Sequence, residues 1–131
     1  MPDLSRHAPL MLSILRIVSA LMFMQHGLQK HFAFPAREGP GPEQFSQMWI
    51  GGWIELIGGV LLLLGLFTRP VAFVLSGMMA VAYFQFHAMS GGYHPIQNQG
   101  ELAALYCFVF LYFVFAGPGS LSLDGSMRRR G

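Results

Sequence analysis

The stretch W-I-G-G-W-I-E-L-I-G-G-V-L-L-L-L-G-L-F-T-R, residues 49–69, decides the fold class of this chain. About 20 apolar residues that rise about 1.5 Å each make a helix able to cross a hydrocarbon core of about 30 Å. Its one acidic residue, Glu55, would then lie at membrane depth. A carboxylate is costly there and usually faces other helices or a wet cavity. The stretch therefore predicts a transmembrane helix with Glu55 on a protein-facing side.

Glycines surround Glu55 at helical spacing. Gly51, Glu55 and Gly59 are four residues apart, so they share one helix face, and seven-residue steps relate other pairs, such as Gly52 with Gly59. Small residues at such spacing let a second helix come close. The alternative is that Glu55 is a protonated, hydrogen-bonded carboxyl that serves packing alone. The glycines that we predict to pack helices are Gly51, Gly58, Gly59 and Gly65.

The composition indicates a membrane protein of one domain. The chain has 131 residues, of which 53% are hydrophobic and 11% charged, whereas soluble domains have about 25% charged residues. The net charge of +2 comes largely from Arg128, Arg129 and Arg130. Orientation in the membrane and anionic lipid explain this basic excess better than nucleic acid does. Cys107 is the single cysteine, so no disulfide can form within the chain.

Four apolar runs are separated by polar or glycine- and proline-rich connections. Helices satisfy their own backbone hydrogen bonds, which a lipid environment requires, and short connections favour antiparallel neighbours. The fold class predicted is therefore an all-α membrane protein, an antiparallel bundle of four transmembrane helices. The runs cover residues 9–32, 48–67, 70–89 and 98–116.

The positive charges near the helix ends predict the orientation. With four crossings, Arg6, Arg69 and the arginines at 128–130 lie on one side of the membrane, and Lys30 and Arg37 lie on the other. Positive residues are enriched on the cytoplasmic side, so we expect both termini in the cytoplasm.

This orientation gathers polar side chains from all four helices in the extracytoplasmic half of the bundle. The other half is nearly apolar except for Arg16 and Ser76, and Arg16 is near enough to a helix start for its head to reach the interface. The polar set predicted to bind a ligand or relay protons is His26, Lys30, Glu55, His87, Asn98 and Glu101.

The chemistry predicted for this set is acid–base and hydrogen-bonding. Glu55, His26 and Lys30 can form a charge-paired network in which each charge makes burial of its neighbour less costly. Such a network suits a quinone, whose head group needs partners that pass protons. Axial ligation of haem by His26 and His87 is disfavoured, because no C-x-x-C-H motif is present. The histidines also lack close ligand-type partners, so no metal site is predicted, and His31 is expected at the membrane interface.

Five separated blocks of the chain follow one known pattern in the same order. They are residues 16–30, 51–70, 80–87, 98–107 and 116–124, and the matching residues are His26, Gly27, Lys30, Glu55, Gly58, Gly59, His87, Asn98, Gly100 and Glu101. Together these blocks resemble the DoxX family of small bacterial inner-membrane proteins. The resemblance implies a four-helix integral membrane protein of the plasma membrane, in a family named after a subunit associated with an archaeal terminal quinol oxidase and thiosulfate:quinone oxidoreductase. It implies that the matching residues matter, without saying what they do.

Three functions follow from these patterns. The first is a membrane subunit of a redox-linked complex that binds quinone or relays protons beside a membrane or periplasmic redox protein. The second is a non-catalytic accessory subunit that docks a partner. The third is a small-solute or proton pathway formed by a homo-oligomer. If the chain takes part in catalysis, we expect it to be an oxidoreductase subunit rather than an enzyme by itself.

Overall fold

A computed structural model describes residues 3–33, 39, 41–88 and 100–130, and the elements in these ranges are helical. By contacts the chain forms two compact units, Met1–Phe67 with Pro118–Gly131, and Thr68–Gly117. The all-α prediction is confirmed for the described residues. In chain order the elements are a 3₁₀ turn Ser5–His7, α1 Ala8–Phe32, α2 Gln47–Leu64, α3 Thr68–Ala82, a π-helical segment Tyr83–Ala88, α4 Glu101–Ala116 and α5 Leu123–Arg130.

Two of the described helices are long and apolar enough to cross a membrane. They are the continuous helical stretch Ser5–Phe32, with 28 residues, and α2, with 18 residues. The apolar helix α4 is shorter, with 16 residues. Four crossings, and the organisation of the chain as one domain, therefore stay predictions.

In the first unit, α1 packs against α2 as an antiparallel hairpin. Buried residues on α1 recur at steps of three and four, which places them on one face. Two residues on this face, Ala20 and Phe23, are apolar, and the others are a glycine, a serine and an arginine. The five buried positions that follow this spacing are Ser13, Arg16, Ala20, Phe23 and Gly27.

The two ends of α2 are defined by local chemistry. Ser46 is the N-cap, and its hydroxyl accepts the Trp49 amide at 3.2 Å. At the other end Gly65 has φ +68°, and its amide bonds the carbonyls of Leu61 and Leu62, a termination that favours glycine. The helix thus ends at Leu64 rather than at residue 67. Gly65 terminates the helix, and it also allows a close approach there, since an added Cβ would lie 2.5 Å from Ser122 Cβ and 3.1 Å from Arg16 Cζ.

In the second unit, α3 packs against α4. The Ser76 hydroxyl donates to the Cys107 carbonyl at 2.7 Å, and Arg69 donates to the carbonyls of Val114 and Phe115 at 2.9 Å each. Arg69 therefore caps the last turn of α4. Pro70 lies in the first turn of α3, where its missing N–H removes no helical bond.

Candidate functional site

The first unit contains a buried ion pair that joins the two helices of the hairpin. Lys30 Nζ lies 2.5 Å from Glu55 Oε1, and the side chains of Lys30 and Glu55 are 25% and 5% exposed. Lys30 is in the last turn of α1, and Glu55 is the ninth residue of α2, about 12 Å along the helix axis from its start. The pair therefore fixes the end of α1 beside the third turn of α2.

Glycines bring the two backbones close enough for this pair to form. A Cβ added at Gly27 would lie 2.6 Å from the Gly52 carbonyl oxygen and 2.9 Å from the Leu56 nitrogen, which are backbone atoms that cannot move aside. One added at Gly52 would lie 2.6 Å from His31 Nε2. Gly27 and Gly52 thus allow α1 and α2 to approach closely one turn from the ion pair.

The other predicted packing glycines differ from one another. A Cβ at Gly59 would collide with the side chain of Met24, and Gly58 is buried. A Cβ at Gly51, in contrast, would meet no atom within 4 Å among the described residues. Spacing alone does not separate Gly51 from Gly52, because adjacent positions differ by about 100° around a helix. The close contact with α1 is therefore made at Gly52, which the sequence pairs with Gly59, and the matching position on α1 is Gly27, which only the family resemblance singled out.

One oxygen of Glu55 is left for another group. Oε1 accepts from Lys30, whereas Oε2 is buried and has no hydrogen-bond partner in the described part of the chain. A buried acceptor without a donor is unfavourable. His26 lies one turn before Lys30, is half-buried, and is near enough to both charges to interact with them electrostatically. The site therefore offers a carboxylate oxygen, an ammonium group and an imidazole within one small region.

Aromatic rings adjoin the ion pair. The His31 ring stacks on Trp53 with centroids 4.3 Å apart, and its Nε2 lies 2.9 Å from the Trp49 carbonyl oxygen. Since a carbonyl only accepts, Nε2 is the donor and carries the proton. His31 is thus packed against α2 rather than simply placed at an interface. We call His31, Trp49 and Trp53 the aromatic wall. The four-residue spacing of the two tryptophans is the sequence signal that could have predicted it.

The remaining predicted site residues lie elsewhere in the chain. Glu101 is an exposed residue in the first turn of α4, in the second unit. His87 belongs to the π-helical segment, but its side chain is not among the described ones, and Asn98 lies outside the described residues. Of the six predicted residues, the structure brings together His26, Lys30 and Glu55. Within the described ranges, no three His, Cys, Asp or Glu residues form a group that could hold a metal ion.

A second polar cluster, which the sequence did not indicate, lies at the other end of the hairpin. Arg16 is 1% exposed and donates to the carbonyls of Pro118, Leu121 (2.7 Å) and Leu63 (3.4 Å). Ser13 donates to the Pro118 carbonyl at 3.0 Å and accepts the Leu121 amide at 2.9 Å. The guanidinium group of Arg16 is therefore buried on backbone carbonyls at this end of the hairpin, and its position relative to the membrane interface stays a prediction. The acceptors come from the last turn of α2 and from a turn about 100 residues away in sequence, so this end of the hairpin is not apolar.

Comparison with known proteins identifies relatives over almost the whole length. The family model DoxX matches residues 11–88, which include α2 and all of α1 except its first three residues. An uncharacterised protein of Haemophilus influenzae is 45% identical over 99% of this chain and 100% of its own length. An uncharacterised membrane protein of Mycobacterium tuberculosis is 29% identical over 88% of this chain and 80% of its own length. A second uncharacterised H. influenzae protein is 31% identical over 90% and 83%. No solved structure matches.

Proposed function

Because this chain belongs to the DoxX family of membrane proteins, we propose that it is a bacterial inner-membrane subunit that binds a quinone head group at the Lys30–Glu55 pair. In this proposal the chain crosses the membrane four times, has both termini in the cytoplasm and serves a redox-linked complex. The observation that carries the proposal is the buried Glu55 carboxylate, which has one oxygen on Lys30 and the other unpartnered among the described residues.

A quinone has the hydrogen-bonding groups that this site needs. The hydroxyl of a quinol donates to an acceptor such as Glu55 Oε2, and the carbonyl of a quinone accepts from a donor such as the Lys30 ammonium group. An acceptor and a donor side by side therefore suit both oxidation states. The stacked His31 and Trp53 rings provide flat apolar surface for the head group, and the lipid-facing sides of the hairpin suit an isoprenoid tail.

The same residues can handle the protons of quinol oxidation. Quinol loses two protons and two electrons when it becomes quinone. Glu55 can take the proton of the hydroxyl that it binds, and His26, an imidazole one turn from Lys30, can pass it on. The proton of the other hydroxyl is released to water as the partner protein takes the electrons. The electrons go to a redox centre of the membrane or periplasmic partner protein, so the chain binds and deprotonates the substrate but does not itself change oxidation state.

Tryptophan fluorescence provides a direct test. Trp49 and Trp53 are the only tryptophans in the chain, and both lie in the aromatic wall beside the ion pair. Titration of the purified protein with decylubiquinone should quench this emission in a saturable way. Glu55→Gln, which keeps the shape but removes the charge, should weaken the apparent affinity about tenfold.

The matched control is Glu43→Gln, which changes an exposed carboxylate in the loop before α2 and should bind like the native protein. Quenching that stays linear with quinone concentration, or that is identical in the native protein and Glu55→Gln, would rule the proposal out. In membranes, Glu55→Gln and His26→Ala should both lower quinone-dependent reductase activity.

A second candidate function, docking of a partner protein by an accessory subunit, is favoured by one face of α4. Large apolar side chains on this face recur at three- and four-residue steps and are more than half exposed. Such a stripe fits a groove on a partner helix as well as lipid. If it is the functional surface, Phe108→Ala should release a co-purifying partner and leave decylubiquinone binding unchanged. The stripe consists of Leu105, Phe108, Tyr112 and Phe115.

A further inference from the structure

Helix α5 is the most basic of the described helices and is too short to cross a membrane. Its sequence is L-D-G-S-M-R-R-R, so three consecutive arginines occupy its last turn. Eight residues rise about 12 Å, far less than the hydrocarbon core of about 30 Å. The helix therefore lies outside the hydrocarbon region or at its boundary.

Hydrogen bonds hold α5 at the end of α2, which is one of the two candidate spans. The Asp124 amide donates to the Gly65 carbonyl at 3.0 Å, and the Asp124 carboxylate accepts the Phe67 amide at 2.8 Å. Ser122 caps the helix, since its hydroxyl accepts the Gly125 amide at 2.9 Å. The start of α5 is therefore fixed where a membrane-crossing helix ends.

Large apolar side chains are exposed around this attachment point. Leu123 and Met127 are one turn apart on α5, so they share a face, and they are 42% and 57% exposed. Phe67, whose amide bonds Asp124, is 58% exposed, and Leu121 is 56% exposed. Apolar residues beside an arginine-rich turn are typical of a helix that lies in the membrane interface.

We propose that α5 lies in the head-group layer and binds anionic phospholipids. In this arrangement Leu123 and Met127, with Phe67, enter the boundary of the acyl region, and the positive charge of the arginine run at residues 128–130 attracts lipid phosphates. Guanidinium binds phosphate in a bidentate way that an ammonium group does not reproduce. The complementary charge identifies the partner as an anionic lipid surface. This proposal is independent of quinone binding.

A single-cysteine probe can test this proposal on the full chain. Cys107 is the only cysteine, so Cys107→Ser with Met127→Cys gives one labelling position for an environment-sensitive fluorophore on α5. The labelled protein would be placed in nanodiscs of phosphatidylcholine alone or of phosphatidylcholine mixed with phosphatidylglycerol. We expect a blue shift and a brighter emission with the anionic lipid, reversed by high salt.

Charge-removing variants and a second label position complete the test. Each Arg→Gln change at residues 128–130 should weaken the lipid-dependent response about fivefold, and the triple change should abolish it. A label at Gln44→Cys, on an exposed turn before α2, should not respond to lipid charge. The proposal is overturned if the label at 127 has the same emission in both lipids, or if the triple arginine variant responds like the native sequence while its circular dichroism is unchanged.

Discussion

Two cations on α1, the buried Arg16 and the half-buried Lys30, are stabilised in different ways. Arg16 donates to three carbonyl groups, and Lys30 pairs with the carboxylate of Glu55. The planar guanidinium group suits several carbonyls at once, whereas the compact ammonium group suits one carboxylate. Arg16 is thus held by neutral carbonyls without a paired carboxylate, and its buried Nε has no hydrogen-bond partner among the described residues. The pair of Lys30 and Glu55 instead leaves a carboxylate oxygen that can accept from a ligand.

At this residue scale, we predict that Lys30→Met destabilises the protein more than Lys30→Met combined with Glu55→Leu. The single change leaves a buried carboxylate unpaired, which costs about 2 kcal/mol here; that is below the range of about 3–5 kcal/mol for a fully buried pair, because Lys30 is partly solvated. The double change replaces both charges by apolar groups. Thermal unfolding in detergent measures both variants and Glu55→Leu alone, which completes a double-mutant cycle. Additive effects would show that the two side chains do not interact.

At the scale of elements, the hairpin of α1 and α2 was largely predictable from hydropathy, but its ends were not. Apolar runs indicate 9–32 and 48–67, and the helices are Ala8–Phe32 and Gln47–Leu64. The second run stays apolar through Gly65, Leu66 and Phe67. Hydropathy therefore predicts a helix up to residue 67, whereas the backbone ends it at Leu64. From the sequence alone, the glycine that ends α2 cannot be distinguished from the glycines that allow α2 to pack closely. Only its positive φ and its contact with Ser122 distinguish Gly65.

We predict a ranked series of glycine-to-alanine effects on stability. Gly27→Ala should be the most destabilising, by about 3 kcal/mol, because its Cβ meets backbone atoms of α2 that cannot be repacked. Gly52→Ala should follow, since it displaces His31 from the Trp49 carbonyl. Gly59→Ala should cost less than about 1 kcal/mol because the flexible Met24 side chain can move.

Gly51→Ala is the matched control of this series. Its Cβ meets open space among the described residues, and alanine favours the helix over glycine by up to about 1 kcal/mol. The variant should therefore be neutral or stabilising in the same thermal-unfolding measurement. A series in which Gly51→Ala is as harmful as Gly27→Ala would contradict the helix packing described above.

We also predict that Arg16→Lys frees the segment that precedes α5. A single ammonium group cannot reach the three carbonyls that Arg16 binds, so the turn at 118–121 should open more often. Hydrogen exchange at the Leu121 and Asp124 amides should become about tenfold faster. Arg69→Lys, which changes an exposed arginine of the second unit, is the control and should leave both amides as protected as in the native protein. Equal protection in Arg16→Lys would show that these carbonyl bonds do not hold the segment.

At the scale of the whole molecule, the sequence indicated one of the two polar clusters, the one around Glu55. His26, Lys30 and Glu55 could be assigned to a common region because consecutive antiparallel helices place the end of one beside the start of the next. The cluster around Arg16 could not, since Pro118 and Leu121 are separated from it by α2, α3 and α4. Backbone carbonyls also have no residue-type signature in the sequence. The spacing of charged residues along the sequence can therefore predict ion pairs between side chains. Hydrogen bonds from a side chain to backbone carbonyls can be identified only in the structure.

The number of membrane crossings can be measured by labelling single cysteines from outside intact cells. In a Cys107→Ser background, Asp3→Cys, Gln44→Cys and Glu101→Cys place one thiol at exposed positions before α1, before α2 and at the start of α4. With four crossings and cytoplasmic termini, an impermeant maleimide should label positions 44 and 101 and should label position 3 only after the membrane is opened.

If only α1 and α2 crossed the membrane, position 101 would follow position 3 instead of position 44, because the chain would not return to the outside after Leu64. Each residue has an exposed side chain in an accessible segment, so a failure to label reports sidedness rather than burial, and labelling in opened membranes verifies this for each thiol. Position 101 is therefore decisive. Reaction there in intact cells requires the chain to cross the membrane again between α2 and α4, which only the second unit, beginning at Thr68, can provide.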